Sequence, residues 1–264
     1  MQGIGNDFIM FNGLNGETLD QPDALARRIC DRHYGIGGDG LIWMLPSERA
    51  DARMRVFNSD GGEAEMCGNG IRCAALFLRN EGAVSAPEMT IDTLAGVLTA
   101  RFVQEGIEVD MGVPCVEPAI IPVASEDNIL DIDIEDRRLR FFCVSMGNPH
   151  AVTFDLYPED AQFRWLGPLL ERHPVFPHGA NIEFCRVRDD GLDVRVWERG
   201  DGETLACGTG ACASLVAAAS LGLLGREGQV RLPGGTLQIR WDQNDHVWMT
   251  GAAQKVFEGV WADV

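Results

Sequence analysis

The chain is written twice, and that limits its fold more than any other feature. Slid against itself by about 140 residues, RVFNSDGGEAEMCGNG (55–70) falls on RVWERGDGETLACGTG (195–210). Arg55, Val56, Gly62, Glu63, Cys67, Gly68 and Gly70 then meet identical residues. The register persists along the chain. Arg32-His33 lies over Arg172-His173, LAGVLTARF (94–102) over PGGTLQIRW (233–241), and GND (5–7) over GNP (147–149). A period this long is not that of a solenoid and implies two structurally equivalent domains from a duplication.

Within each half, MTIDT, GVLTARFV, GIEVDMG and LDVRVWER alternate apolar and polar residues as half-buried strands do. After each Cys-Gly-x-Gly the texture changes. IRCAALFLRN and ACASLVAAASLGLL are rich in Ala and Leu and apolar almost all round, which places those helices inside. The pattern predicts an α+β fold of two pseudo-symmetric domains, each a β-sheet or barrel wrapped around a central buried helix. Pro-rich GVPCVEPAIIP (112–122) falls between the copies. The halves are therefore expected at 1–112 and 113–252, with a C-terminal strand over about 253–264 packing back onto the first.

With 264 residues and 45% apolar composition the chain can bury a full core. It has no run of about 18 apolar residues, and MQGIGNDF lacks the basic and apolar regions of a signal peptide, so it reads as soluble and cytoplasmic. A net charge of −18 argues against nucleic acid or anionic membrane as partners. The partner implied is a small molecule. The eight cysteines include no CxxC pair and read as reduced thiols, most of them small buried hydrophobes.

The doubled motif carries the chemistry. A thiol at a helix N-terminus sees the positive end of the dipole and free N–H groups, which lower its pKa toward neutrality. Flanking glycines let backbone approach a carboxylate or phosphate. One such motif alone reads as a packing device. Two, in equivalent places of a duplicated fold, suggest thiols facing one another over a shared cleft: one removes a proton from a carbon and the other returns one to the opposite face, inverting the stereocentre. Pyridoxal phosphate would need a Schiff-base lysine, and the only lysine is Lys255, nine residues from the end. A zinc site from Cys67, Cys73, Cys207 and Cys212 is the metal alternative, but Cys73 and Cys212 fall on the buried helices away from their starts. No cofactor and no metal are expected.

Together GIGNDF, FNSDGGEAEMCGNGIRCAA, MGNPHAV, GANIEF and ERGDGETLACGTGACAS closely resemble diaminopimelate epimerase along essentially the whole chain. The resemblance implies a cofactor-independent isomerase that interconverts LL- and meso-diaminopimelate in lysine and peptidoglycan precursor synthesis, with an amino-acid substrate and a homodimer as its candidate assembly. Cys67 and Cys207 match the acid/base cysteines, and His150 matches a histidine important near the thiols. Asn6, Gly68, Asn69, Gly208 and Thr209 match positions holding the reacting end. Asn58, Asn148, Asn181, Glu198 and Arg199 match those reading the distal centre, where an Arg fork suits a carboxylate and Glu198 an ammonium; Glu198 also counts among the catalytic candidates. Singly, these asparagines could be turn residues, His150 a core histidine, and Glu198-Arg199 a solvated pair.

Three departures stand out. The chain begins almost on GIGNDF, where family members usually have a longer first strand; Gly40 falls where some relatives place a substrate-contacting Gln; and Asp201 replaces a small apolar residue. Asp201 would raise the Cys207 pKa if it pointed inward. Alternatives on this scaffold are a histidine or proline racemase and, from another class, a catalytically silent binding protein.

Overall fold

In the computed structural model, which describes residues 1–262, the alternating segments pair as strands around two apolar helices. The chain divides into a first unit, Met1–Val109 together with the segment from Gly251 onward, and a second, Asp110–Thr250.

The first unit contains β1 (Gln2–Gly3), β2 (Asn6–Asn12), α1 (Pro22–Ile29), β3 (Gly40–Leu45), β4 (Ala52–Asn58), β5 (Glu63–Ala64), α2 (Gly68–Asn80), β6 (Glu88–Thr93), β7 (Gly96–Val103) and β8 (Gly106–Asp110). β1 and β2 are antiparallel, β2 runs parallel to β3, and β3 is antiparallel to β4. β4 carries short β5 and parallel β6, from which β7 and β8 continue antiparallel. Alternation works as the sequence demands: Ala52, Met54 and Val56 of β4 are buried while Arg53 and Arg55 between them are only partly so. On α2, Ile71, Ala74, Ala75 and Leu78 repeat at helical spacing and are fully buried.

The second unit contains β9 (Ile129–Ile134), β10 (Arg137–Ser145), β11 (Pro149–Thr153), α3 (Asp160–Glu171), β12 (Asn181–Arg188), β13 (Gly191–Glu198), β14 (Gly202–Glu203), α4 (Gly208–Ser220), β15 (Glu227–Leu232), β16 (Gly235–Trp241) and β17 (Val247–Gly251). From β10 onward the order and senses repeat the first unit. β10 and β11 are antiparallel, β11 is parallel to β12, β12 antiparallel to β13, and β13 carries β14 and parallel β15 before β16 and β17. β9, which pairs with β10, has no counterpart. Residues 211–218 of α4 are buried on every side. The duplicated α+β architecture read from the sequence is the observed fold.

The unit boundaries fall slightly before 112/113 and 252/253. Residues 111–115 already bond within the second unit: Met111 N–H donates to Val247 O, Val247 N–H to Gly112 O, and Cys115 bridges Ser145. The strand expected over about 253–264 does not form among the described residues; positions 263 and 264 lie outside them. Only Gln254 pairs, in an isolated bridge to Gln2, because the two residues of β1 offer no longer edge.

Candidate functional site: two cysteine-capped helices

Each buried helix opens on a cysteine. Cys67 (φ −140°, ψ 116°) is the N-cap of α2 and Cys207 (φ −117°, ψ 108°) that of α4. The extended N-cap backbone turns the chain into the helix and leaves first-turn N–H groups without intrahelical acceptors. The first intrahelical bonds come only at Ile71 N–H to Cys67 O and Ala211 N–H to Cys207 O. Gly68, Asn69, Gly208 and Thr209 precede them. The thiols differ in setting. Cys207 is 4% exposed and its Sγ accepts the Gly210 N–H at 3.4 Å, whereas Cys67 is less buried and makes no side-chain cap bond.

Around Cys67, a left-handed glycine (Gly5, φ 88°) turns the chain so that Asn6 heads β2. Asn6 Oδ1 accepts from Cys67 Sγ at 3.8 Å and from Asn69 Nδ2 at 3.2 Å, while its Nδ2 donates to Asp39 Oδ2 at 2.6 Å. Asp39 in turn pairs with Arg32, which also grips Asp7. Behind Asn69 stands Arg72, a guanidinium with no solvent exposure, donating to Asn69 Oδ1 at 2.9 Å, Gly68 O at 3.4 Å and Ala252 O at 3.3 Å. Asn58 ends β4 with its side chain exposed.

Around Cys207 the same turn recurs, with Gly147 at φ 93° before Asn148. Here the amide faces the other way. Asn148 Nδ2 donates to Thr209 Oγ1 at 3.4 Å, Thr209 Oγ1 lies 3.6 Å from Cys207 Sγ, and Asn148 Oδ1 is 2.9 Å from His150 Nε2. His150 Nδ1 is 2.6 Å from Glu183 Oε1, and neither side chain has any exposure. Glu198, at the end of β13, accepts from Thr204 Oγ1. Asn181 spends its carbonyl on Arg199 N–H (2.9 Å) and an amide hydrogen on Pro149 O (2.9 Å), so it holds the Arg199 backbone. The Arg199 guanidinium, exposed, touches His178 O at 3.4 Å.

Electrostatics revise one expectation. Burial pushes the Cys207 thiol well above its ordinary value; the Glu198 and Glu183 carboxylates add to this, and the Thr209 and Gly210 hydrogen bonds oppose it. Desolvation therefore outweighs the helix terminus, and the thiol form is favoured where a value near neutrality was expected. Glu198 is also raised by burial, against hydrogen bonds from Thr204 and Cys207. That places Glu198 beside the thiol. Cys73 is fully buried on α2, its thiol pushed up to about 12 by desolvation, and Cys212 is fully buried on α4.

Gly40 is buried, and a Cβ there would stand 2.7 Å from Phe57 O, so packing excludes a Gln. Asp201 is exposed, and its charge acts on Glu198. β1 is two residues long. Sequence reasoning missed Arg72, Asp39, Thr204 and Glu183. Arg72 was visible as one charge inside an apolar helix, and Glu183 as an acid at an inward position of IEFC; Asp39 and Thr204 carried no local signal.

The sequence matches the family described as diaminopimelate epimerase over residues 1–116 and 142–256. It is 49% identical over 270 residues to the diaminopimelate epimerase of Desulforudis audaxviator, covering 99% of this chain and 97% of that one. It is 48% identical over 273 residues to that of Acetivibrio thermocellus, covering 98% and 96%. Among solved structures, it resembles a hydroxyproline epimerase from Agrobacterium vitis with bound trans-4-hydroxy-L-proline (TM-score 0.66, 18% identity, 95% and 86% covered). It also resembles a PhzF-family phenazine biosynthesis protein from Bacillus anthracis (TM-score 0.64, 19% identity, 96% and 92% covered). At such identities these two likenesses speak for the fold alone.

Proposed function

Because the chain belongs to the diaminopimelate epimerase family, we infer that it interconverts LL- and meso-diaminopimelate without a cofactor, using Cys67 and Cys207 as the two bases. The observation that carries this reading is that two equivalent helices each open on a cysteine N-cap. One cysteine, as thiolate, takes the α-proton; the electron pair of the C–H bond delocalises into the α-carboxylate; the other thiol then protonates the opposite face. The products are the inverted centre and an exchanged thiol/thiolate pair. Each helix start offers first-turn N–H groups suited to developing carboxylate charge, at Gly68 and Asn69 in one unit and at Gly208 and Thr209 in the other.

In this reading Asn6 steadies the reacting end through its bonds to Cys67 and Asn69. Asn58 and Arg199 read the distal end, a role supported by their exposure, with Asn181 setting the Arg199 backbone. Asn148 and His150 belong to the hydrogen-bonded chain that ends on Cys207. Glu198, bonded to Thr204 and beside the same thiol, is assigned to its protonation. Lys255 pairs with Glu258 on the surface, an unsuitable setting for a Schiff-base lysine.

No helix among the described residues is long and apolar enough to cross a membrane. We assign the assembly as a homodimer, supported by exposed Val256, Phe257 and Val260 clustered near the C-terminus; light scattering at assay concentration gives twice 28.9 kDa if so and the monomer mass if not. The catalytic reading is tested by incubating the reduced, cofactor-free protein with LL-diaminopimelate and separating stereoisomers. Meso product is expected. Inversion of histidine or proline instead would assign the chain to another specificity, and no inversion of any would leave a binding protein.

A further inference from the structure

Register identifies which residues of the two units occupy the same place. In the first, Phe8 pairs with Gly40 and Ile42 with Val56; in the second, His150 pairs with Asn181 and Glu183 with Val196. Val56 and Val196 stand 140 apart, the spacing of the repeat, so His150 corresponds to Phe8 and Glu183 to Ile42. Ile42 and Glu183 each lie against the first turn of a cysteine-capped helix. A Cβ on Gly70 would meet Ile42 Cδ1 at 3.0 Å, and one on Gly210 would meet Glu183 Oε1 at 2.9 Å and Cys207 Sγ at 3.2 Å. One unit thus fills this position with two hydrocarbons and the other with a fully buried imidazole and carboxylate. The fold does not need the polar pair, whose burial costs desolvation that hydrocarbons avoid.

Hydrogen-bond directions show what the pair does. Asn148 donates its Nδ2 hydrogen toward Thr209, which turns its Oδ1, an acceptor, toward His150 Nε2. With the amide in this orientation, Nε2 carries hydrogen. One further proton lies between Nδ1 and Glu183 Oε1, 2.6 Å apart, on either the ring or the carboxyl. Both forms leave Nε2–H in place, and a ring nitrogen's state is set by the bond the other nitrogen makes. With its Oγ1 already accepting from Asn148, Thr209 is free to donate its own hydrogen to Cys207 Sγ, which favours the ionised sulfur. Without a group on Nδ1, the ring can take the other tautomer, Asn148 turns over, and this donor chain reverses.

We propose that Glu183 is a positioning residue for the epimerisation: by holding His150 with hydrogen on Nε2, it orients Asn148 and Thr209 so that a donor faces Cys207 Sγ. The proposal rests on Cys207 being one of the two bases. The titratable groups facing the pair are Cys143 from β10, Cys185 from β12, Cys207 at α4 and Glu198 from β13. α3 packs on the opposite face of β12, through Ile182 and Phe184, and presents none to it. Glu183 makes no second side-chain bond that competes with His150, and the Ala151 and Glu183 backbone N–H groups lie against its carboxylate.

The test uses the full-length protein, LL-diaminopimelate and three forms: wild type, Glu183→Ile and Glu183→Gln. Glu183→Ile should lose about 100-fold in kcat with KM within about threefold, and the pH limb reporting thiolate formation should move up by about one unit. Glu183→Gln should stay within about tenfold of wild type, since its amide donates to Nδ1 and preserves Nε2–H. Independently of any variant's folding, a nitrogen-15 spectrum of labelled histidine should show His150 Nε2 protonated. Wild-type kcat and pH profile in folded Glu183→Ile, a Glu183→Gln as impaired as Glu183→Ile, or an unprotonated Nε2 would each overturn the proposal. A wild type inactive on diaminopimelate would instead refute the functional reading, with the histidine spectrum still deciding the tautomer.

Discussion

Exchanging the buried pair for its hydrocarbon counterparts, His150→Phe with Glu183→Ile, should leave the fold at least as stable while abolishing turnover. Both residues are fully buried, and the replacements are the residues that fill the same register in the first unit. His150→Phe alone strands a buried carboxylate, which costs about 3–5 kcal/mol near neutral pH. Glu183→Ile alone strands Nδ1, at about 1–3 kcal/mol. The double variant removes the whole buried polar pair, so it should fall between neutral and about 4 kcal/mol more stable than wild type. A double-mutant cycle by urea unfolding should therefore return a coupling of about 3 kcal/mol or more. pH supplies a second arm. Burial raises the Glu183 carboxyl, so the folded state binds a proton that the unfolded chain releases above about pH 4.3. Without His150, stability must then fall as pH rises from there through the raised folded value. If the double variant is destabilised by the sum of the singles, or His150→Phe is equally stable at pH 5 and pH 8, the dyad is a structural element and the reasoning fails.

The glycines after the two cysteines should differ in tolerance. A methyl on either glycine meets its cysteine, but Gly210→Ala also presses on the hydrogen-bonded Glu183 carboxylate and should reduce kcat by about tenfold or more, whereas Gly70→Ala presses on the flexible end of Ile42 and should cost less; steady-state kinetics showing the reverse order would contradict the packing. Trp197→Phe removes the Nε1–H bond to Glu171 Oε2 (2.9 Å), whose other oxygen holds Gly200 N–H (3.0 Å). It should cost about 1–2 kcal/mol and raise KM through a loosened 198–203 turn; an unchanged KM would free that turn from substrate binding.

Much of this architecture was legible because duplication leaves two independent spellings of each element. Cys67 and Cys207 could be placed at helix starts from the change of periodicity alone, and both are N-caps. The identity of α2 as a buried helix was legible too, but not that Arg72 would go in with it, since its partners, Asn69 and two carbonyls, include Ala252 O from 180 residues away. Glu183 escaped for a related reason: its importance appears only when strand register shows it standing where the other unit has Ile42. Helix-dipole reasoning misjudged Cys207 because exposure is a property of packing, not of the local sequence. Desolvation at 4% exposure outweighs one N–H bond.

The two-base claim is tested most directly by following early turnover of LL-diaminopimelate in deuterium oxide with the reduced protein pre-equilibrated in that solvent. Inversion by two thiols requires the new α-hydrogen to come from the second cysteine, already exchanged with solvent. Meso product formed in the first few per cent of reaction should carry one deuterium at the inverted centre, and the remaining LL substrate none. Meso product that retains the original α-hydrogen would mean one base returning its own proton, and would contradict the account.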